Sequence, residues 1–191
     1  MKNILITGGL GVIGSRCIEL LYQKRNCKIT CLDAAEQPRH YITKSILLKK
    51  CPDVRFIEER IEKSNAMDSL VASHDLIIHA GAHTGIPHSE QVPDDDWHSN
   101  VDASRIILES LRKSINKPTT VMLSSVKPYK VDNIPCHEEN TRMVWDDSSL
   151  VGINENWLLE PDEPYAASKM AQTALVSAYG KSYNLPVLGC I

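Results

Sequence analysis

Tyr165 and Lys169 stand four residues apart in the run Pro164-Tyr165-Ala166-Ala167-Ser168-Lys169. On a helix that spacing puts both side chains on one face. A phenol titrates near pH 10 in ordinary surroundings, so at neutral pH it keeps its proton. A neighbouring ammonium favours the phenolate and lowers that value. The pair is therefore a candidate base for taking a proton from a hydroxyl group. A second cluster lies near the N-terminus, Thr7-Gly8-Gly9-Leu10-Gly11-Val12-Ile13-Gly14-Ser15. Gly9, Gly11 and Gly14 satisfy G-x-G-x-x-G, the pattern of a turn whose backbone approaches a pyrophosphate at a helix N-terminus. Gly14 would let that helix pack close to a sheet. Asp33 follows Gly14 by 19 residues, about where an acid hydrogen-bonds a ribose diol. Its charge would repel a 2′-phosphate, and Ala34-Ala35 follow with no adjacent arginine to accept one. The cofactor expected is NAD rather than NADP.

Other chemistries fit the sequence less well. His79, His83 and His88 lie in a stretch containing glycine and proline rather than on one helical face, and zinc motifs need tighter ligand spacing. No metal is expected. The six cysteines are scattered and form no C-x-x-C pair, which reads as thiols in a cytoplasmic protein rather than a disulfide framework. Lys and Arg total 21 against 24 Asp and Glu, a net charge of −3. Nucleic-acid binders normally carry a basic excess, so that partner is excluded. No apolar run approaches the length of a membrane span, and the run at residues 3–7 is too short for an export signal. No membrane association is expected.

The elements that must position these residues follow from periodicity. Short apolar strands are expected at residues 3–7, 28–32, 54–57, 75–79, 119–124 and 186–190. Helices are expected at 12–24, with Ile13, Cys17, Leu20 and Leu21 on one face, at 42–50, at 99–115 and at about 165–183. The stripe of the third holds Val101, Leu108, Leu111 and Ile115, with Ile107 beside it. Residues 130–164 contain Pro135, Pro161 and Pro164, have no clear period and read as a long irregular excursion. At 191 residues, 42% of them apolar, the chain can fill one sizeable core. Strands alternating with helices predict an α/β fold, a doubly wound parallel sheet covered on both faces. In that architecture ligands sit beyond the carboxyl ends of the strands, where the informative residues fall.

Three segments together carry a family resemblance: Thr7-Gly8-x-x-Gly11-x-x-Gly14, Ser124-Ser125 ending a strand, and Tyr165-Ala166-Ala167-Ser168-Lys169. They resemble the short-chain dehydrogenase/reductase superfamily, and within it the extended branch of NAD-dependent nucleotide-sugar epimerases and dehydratases. His79-Ala80-Gly81-Ala82, Ser99-Asn100-Val101 and the form Pro-Tyr-x-x-Ser-Lys at 164–169 add to it. The resemblance spans residues 2–191 and implies a Rossmann fold. It implies that Gly8, Gly11, Val12, Ile13 and Gly14 meet the pyrophosphate, Asp33 a ribose, and Arg60 and Ile61 the adenine. Ala80, Gly81 and Ala82 would pass the phosphate-ribose region, with Asn100 anchoring backbone beside it. Ser125, Tyr165 and Lys169 would form the catalytic set. Tyr165 and Lys169 would also touch the cofactor, Lys169 on the nicotinamide ribose, while Ser125 and Thr84 would meet the substrate. Ser124 is expected to satisfy local backbone groups.

The chain departs from the family pattern in several places. Arg60 stands where members commonly place an acid against adenine, and a guanidinium can stack on that ring. Val126-Lys127 replaces the Asp-Glu pair of many deoxythymidine-diphosphoglucose 4,6-dehydratases, with Lys127 a substitute acid or base. Pro128-Tyr129-Lys130 replaces V-Y-G. The 39 residues between Ser125 and Tyr165 make a longer excursion than epimerases usually show, and Asp132, Glu138, Glu139, Asp146 and Asp147 within it are further acid/base candidates. The family continues past this last strand into a smaller substrate-binding domain that is missing beyond residue 191, so the expectation is either the N-terminal portion of a longer protein or a naturally short chain. The activity expected first is epimerisation of a nucleotide-sugar through transient oxidation, at C4, with Tyr165 as base. Dehydration at C4 and C6 is the alternative, and a non-catalytic NAD-binding sensor or scaffold the alternative of another class. The family often pairs the helices corresponding to 99–115 and 165–183 with a partner's copies as a four-helix bundle, so a homodimer is expected.

Overall fold

Alternation along the first strand divides the core in two. β1 (Lys2–Thr7) turns Ile4 and Ile6 to one face of the sheet and Leu5 to the other, as the two-residue repeat of an extended chain requires. The computed structural model describes residues 1–84, 86–131, 134–150 and 152–191, with the backbone alone at 86–88. Along it follow α1 (Val12–Gln23), β2 (Cys27–Asp33), α2 (Pro38–Lys50), β3 (Arg55–Glu58), α3 (Met67–Ser73) and β4 (Leu76–His79). Next come α4 (Ile86–Gln91), α5 (Pro93–Asp96), α6 (Ala103–Lys113), β5 (Thr119–Leu123), β6 (Cys136–Glu139), β7 (Arg142–Trp145), α7 (Pro164–Tyr183) and β8 (Val187–Cys190).

Six strands form one sheet in the order β3-β2-β1-β4-β5-β8, every neighbouring pair parallel. The chain winds outward from β1 through β2 to β3, then returns to lay β4 on the other side of β1. Ile18 of α1 and Leu47 of α2 bury one face with Ile4 and Ile6. Leu70 and Val71 of α3, Ile107, Leu108 and Leu111 of α6 and Val176 of α7 bury the other with Leu5 and Ile77. This is a doubly wound Rossmann-type sheet, and its winding reverses between β1 and β4, the place where such sheets hold ligands.

Several local expectations change. On α1 the buried positions are Gly14 and Ile18, while Ile13 is 59% and Leu20 45% exposed, so the inward stripe is rotated from the expected one. α2 starts four residues early because Pro38, with its φ already fixed, opens it. The helix expected at 99–115 begins at Pro93 and passes through a π-helical turn, Trp97–Asp102, before α6. It ends at Lys113, which leaves Ile115 outside the stripe and 99% exposed. α3 was not expected; at seven residues it is too short to show a period. Within 130–164 the structure has an antiparallel hairpin, β6 with β7, and Leu159 forms an isolated bridge back to Tyr129, just ahead of the excursion.

Candidate functional site

The glycine turn fills the switch point. Gly8 has φ +68°, in the left-handed region that side chains resist, and a Cβ there would lie 2.4 Å from Gly81 Cα. A Cβ on Gly14 would lie 2.2 Å from the Gly8 carbonyl oxygen and 2.8 Å from Gly9 Cα. Gly14 thus lets α1 press against the turn itself. Gly11, extended, is the N-cap of α1; no side chain caps the helix and no acid stands in its first turn. The leading amides and the positive end of the helix dipole are therefore available to an anion.

From that turn an open groove of about 320 Å³ runs past Asp33 to Arg60 and Ile61 on one side and to Ala80, Gly81, Ala82 and Thr84 on the other. Asp33 is nearly buried at its edge. Its Oδ2 accepts from the Leu10 amide and its Oδ1 from the Ala35 amide, both at 2.9 Å. Each oxygen keeps a lone pair for another donor, such as a ribose hydroxyl. His40, absent from the sequence reading, brings Nδ1 to 3.4 Å from Asp33 Oδ1 without a hydrogen bond; nothing in its sequence surroundings signals that approach. Arg60 is gripped by acids. Nε and Nη2 donate to the two oxygens of Glu36 at 2.6 and 2.5 Å, and Nη1 donates to Glu62 at 2.9 Å. The pairing holds Glu36 below the usual carboxylate range and keeps Arg60 firmly charged. The planar fork is thus fixed at the groove's far end.

Asn100 lies fully buried in the π-helical turn, a distortion frequent at functional sites. Its Oδ1 accepts from the His83 amide at 2.9 Å, and its Nδ2 donates to Ser168 Oγ at 2.9 Å, which donates to the Tyr165 carbonyl. The carboxamide therefore joins the loop after β4 to the first turn of α7. Asp96, also buried and not singled out from sequence, takes His83 Nδ1 at 2.6 Å and Ser89 Oγ; it stands in a polar run with no apolar period to reveal its burial.

The chemical residues sit at the same edge of the sheet. β1, β4 and β5 run parallel with Thr7 opposite His79 and His79 opposite Met122, so Ser125 follows β5 on the side of the glycine turn. Ser124 Oγ bonds to Thr173 Oγ1 at 2.6 Å, while Ser125 Oγ, half-buried, accepts from the Lys127 amide at 3.2 Å. Tyr165 is half-buried in the first turn of α7, and Lys169 one turn on is only 2% exposed. Lys169 Nζ donates to the Leu123 carbonyl at 2.8 Å and to Gln172 Oε1, which brings α7 to the end of β5. Burial pushes its ammonium down to about 8. Burial, and then the charge of Lys169, pushes His79 down to about 3, so its ring is neutral. Among the described residues the groove's lining does not include Asn100, Ser125, Tyr165 or Lys169; they stand beyond its Ala80–Thr84 end.

Lys127 Nζ approaches Glu163 Oε1 at 3.7 Å, an ion-pair distance, and that oxygen is buried with no hydrogen bond. Of the excursion's acid/base candidates, the four described face solvent. Glu138 and Glu139 are exposed on β6, Asp146 pairs with His137 at 2.7 Å, and Asp147 accepts from the Ser149 amide. Asp132 lies outside the described residues, as does the side chain of His88. Among the described residues no group of three or more His, Cys, Asp or Glu is placed to hold a metal ion, and no helix is long and apolar enough to cross a membrane.

Comparison with known proteins gives the family and the fold. The family described as "NAD dependent epimerase/dehydratase family" matches residues 4–191, and NAD is the cofactor its description names. The chain is 28% identical over 191 residues to a dTDP-D-glucose 4,6-dehydratase of Dictyostelium discoideum, covering 98% of this chain and 42% of that protein. It is 28% identical over 187 residues to a dTDP-glucose 4,6-dehydratase of Mycolicibacterium smegmatis, covering 96% and 50%. Among solved structures, a UDP-glucuronic acid 4-epimerase mutant of Bacillus cereus with NAD superposes with a TM-score of 0.80 at 19% identity, covering 98% of this chain and 55% of that one. A dTDP-glucose 4,6-dehydratase of Streptomyces venezuelae with NAD bound gives 0.80 at 22%, covering 97% and 54%. The chain thus spans about half the length of the relatives it matches.

Proposed function

The chain belongs to the NAD dependent epimerase/dehydratase family, and from that premise we propose that it is the cofactor-binding part of an enzyme that transiently oxidises a nucleotide-sugar at C4. The observation that supports this most is the alignment along one sheet edge. The uncapped glycine turn and Asp33 stand at the ends of β1 and β2, Ser125 follows β5, and Tyr165 and Lys169 lie near the start of α7, which Lys169 ties to the last residue of β5. NAD, when bound, supplies the acceptor for the hydride that leaves the sugar carbon and later returns it. The first-turn amides of α1 hold the pyrophosphate, and Asp33 orients a ribose. Ser125 holds the sugar oxygen by a hydrogen bond. Tyr165 takes the hydroxyl proton, and the ammonium of Lys169 favours its phenolate form.

Epimerisation needs no further acid or base once the keto sugar turns in its pocket. A second reading, 4,6-dehydration, needs both. One observation favours it: Lys127, two residues after Ser125, brings its Nζ to 3.7 Å from Glu163 Oε1, a candidate acid beside a candidate base. The names of the relatives at 28% identity point the same way. A sensor or scaffold that only binds NAD would need no proton relay, and the intact Ser125, Tyr165 and Lys169 count against it. The reading also includes a cytoplasmic homodimer. The thiols, all six free, suit a reducing compartment. α6 exposes Arg105, Arg112 and Lys113, so a pairing through that helix is polar, and sedimentation velocity measures it.

The test supplies the whole protein with NAD and dTDP-glucose or UDP-glucose, and products are read by NMR. A 4-epimer supports the first reading and a 4-keto-6-deoxy sugar the second. Tight NAD binding with neither product nor reduced cofactor assigns the sensor role.

A further inference from the structure

The Lys169 ammonium begins a line of hydrogen bonds that crosses the core to the glycine turn. Nζ donates to the Leu123 carbonyl at 2.8 Å and to Gln172 Oε1. Gln172 Nε2 donates to Ser104 Oγ at 2.8 Å. Ser104 Oγ lies 2.6 Å from the Asn100 carbonyl and 3.2 Å from His79 Nε2, and His79 Nδ1 lies 2.6 Å from Thr7 Oγ1. Thr7, His79, Ser104, Gln172 and Lys169 are each 2% exposed or less.

Proton counting gives the line one direction. An ammonium only donates, so Gln172 must turn its oxygen to Lys169 and its NH₂ to Ser104. The Asn100 carbonyl only accepts, so it takes the single hydroxyl hydrogen of Ser104. Ser104 then accepts from both Gln172 and His79, which places the His79 hydrogen on Nε2. His79 Nδ1 accepts from the Thr7 hydroxyl. A flipped Gln172 amide would face NH₂ to an ammonium and an oxygen to a hydroxyl whose hydrogen is already committed. In a core this dry such mismatches are costly, so the orientation is locked.

We infer that Gln172 is a positioning residue for Lys169: its amide, locked by Ser104 and His79, fixes the ammonium at the end of β5 and ties it to Thr7, the last residue before the glycine turn. The inference rests on the reading of Lys169 as part of the catalytic set. An acceptor on the ammonium favours its charged form and so opposes the effect of burial. Gln172 thereby keeps a buried lysine both placed and protonated near neutral pH. His79 on β4 is the titratable side chain that faces it across the sheet; β5 meets it with the Leu123 carbonyl and α6 meets the line with Ser104.

The experiment follows the lysine Cε resonances of carbon-13-labelled protein through a pH titration, without cofactor or sugar, with Lys169→Arg identifying the signal. The wild type is expected to titrate near 8. Gln172→Leu removes the acceptor and should lower the midpoint by at least about half a unit, whereas Gln172→Glu should raise it by at least about one unit. Ser104→Ala frees the amide and should also lower it. If both Gln172 variants titrate within about 0.2 units of the wild type, Gln172 is merely core filling and the inference is overturned. A Ser104→Ala midpoint equal to the wild type overturns the lock. Should Gln172→Leu fail to fold, Gln172→Glu decides alone: an unmoved midpoint refutes, a raised one supports. Calorimetry with NAD on the same samples is scored separately. Loss of NAD binding in the wild type defeats the functional reading, and the titration still reports on Gln172.

Discussion

Acid should unfold this protein through His79 before it affects most of its surface pairs. The ring is fully buried between Thr7 and Ser104 and takes a proton only near pH 3, against 6.5 for an ordinary histidine. The unfolded chain therefore binds one proton more than the native one between those values, and stability falls as pH falls through that window. Above pH 6.5 the contribution is complete. The span is about 3.5 pH units, or about 4 kcal/mol by pH 3 at about 1.4 kcal/mol per unit. Between pH 7 and pH 5 the loss is about 2 kcal/mol, a large part of a typical domain stability of about 5–15 kcal/mol. Urea unfolding at pH 7 and pH 5 measures it, with His79→Gln as reference, since that amide offers both a donor and an acceptor but does not titrate. The variant should be less stable at pH 7 and should lose about 2 kcal/mol less than the wild type on going to pH 5. Parallel losses in the two proteins would refute the claim that His79 is held neutral by the core.

Asp33→Ala leaves the Leu10 and Ala35 amides without their acceptor and removes a charged partner for the ribose. NAD affinity by calorimetry should fall by at least about tenfold, and an unchanged affinity would place the ribose elsewhere. Gly14→Ala drives a Cβ into the Gly8 carbonyl; it should cost about 1–3 kcal/mol in urea unfolding and abolish measurable NAD binding, whereas wild-type values for both would contradict the described packing of α1. In the whole protein Tyr165→Phe should cut turnover by about 10²–10⁴-fold with NAD affinity within about twofold, and near-normal turnover would remove Tyr165 as the base.

What the sequence made legible was what local chemistry enforces. The glycine spacing at 9, 11 and 14 is read directly because Gly9 and Gly14 have no room for a side chain. The apolar runs of β1, β2 and β4 announce themselves because both faces of a covered parallel sheet must be apolar. Ser124, expected to satisfy local backbone groups, instead bonds the Thr173 hydroxyl, a contact 49 residues away in the chain that no local pattern shows. The same distance hides Gln172 and Ser104, 68 residues apart yet bonded, and the hold of Glu36 on Arg60. α3 and the hairpin β6–β7 are too short, and the hairpin too polar, for periodicity to register. The π-helical turn leaves no mark in a one-dimensional pattern, since it shifts a helix face by a single residue.

The most direct trial of the central claim is a crystal structure of this chain with NAD. It should show the pyrophosphate on the amides at the start of α1 and a ribose diol on Asp33. The Tyr165 hydroxyl should lie within a hydrogen bond of about 2.6–3.2 Å, or one bridging water, of the nicotinamide ribose or the substrate position beside it. A dinucleotide bound outside the groove, or a nicotinamide pointing away from Tyr165 and Lys169, would contradict the account.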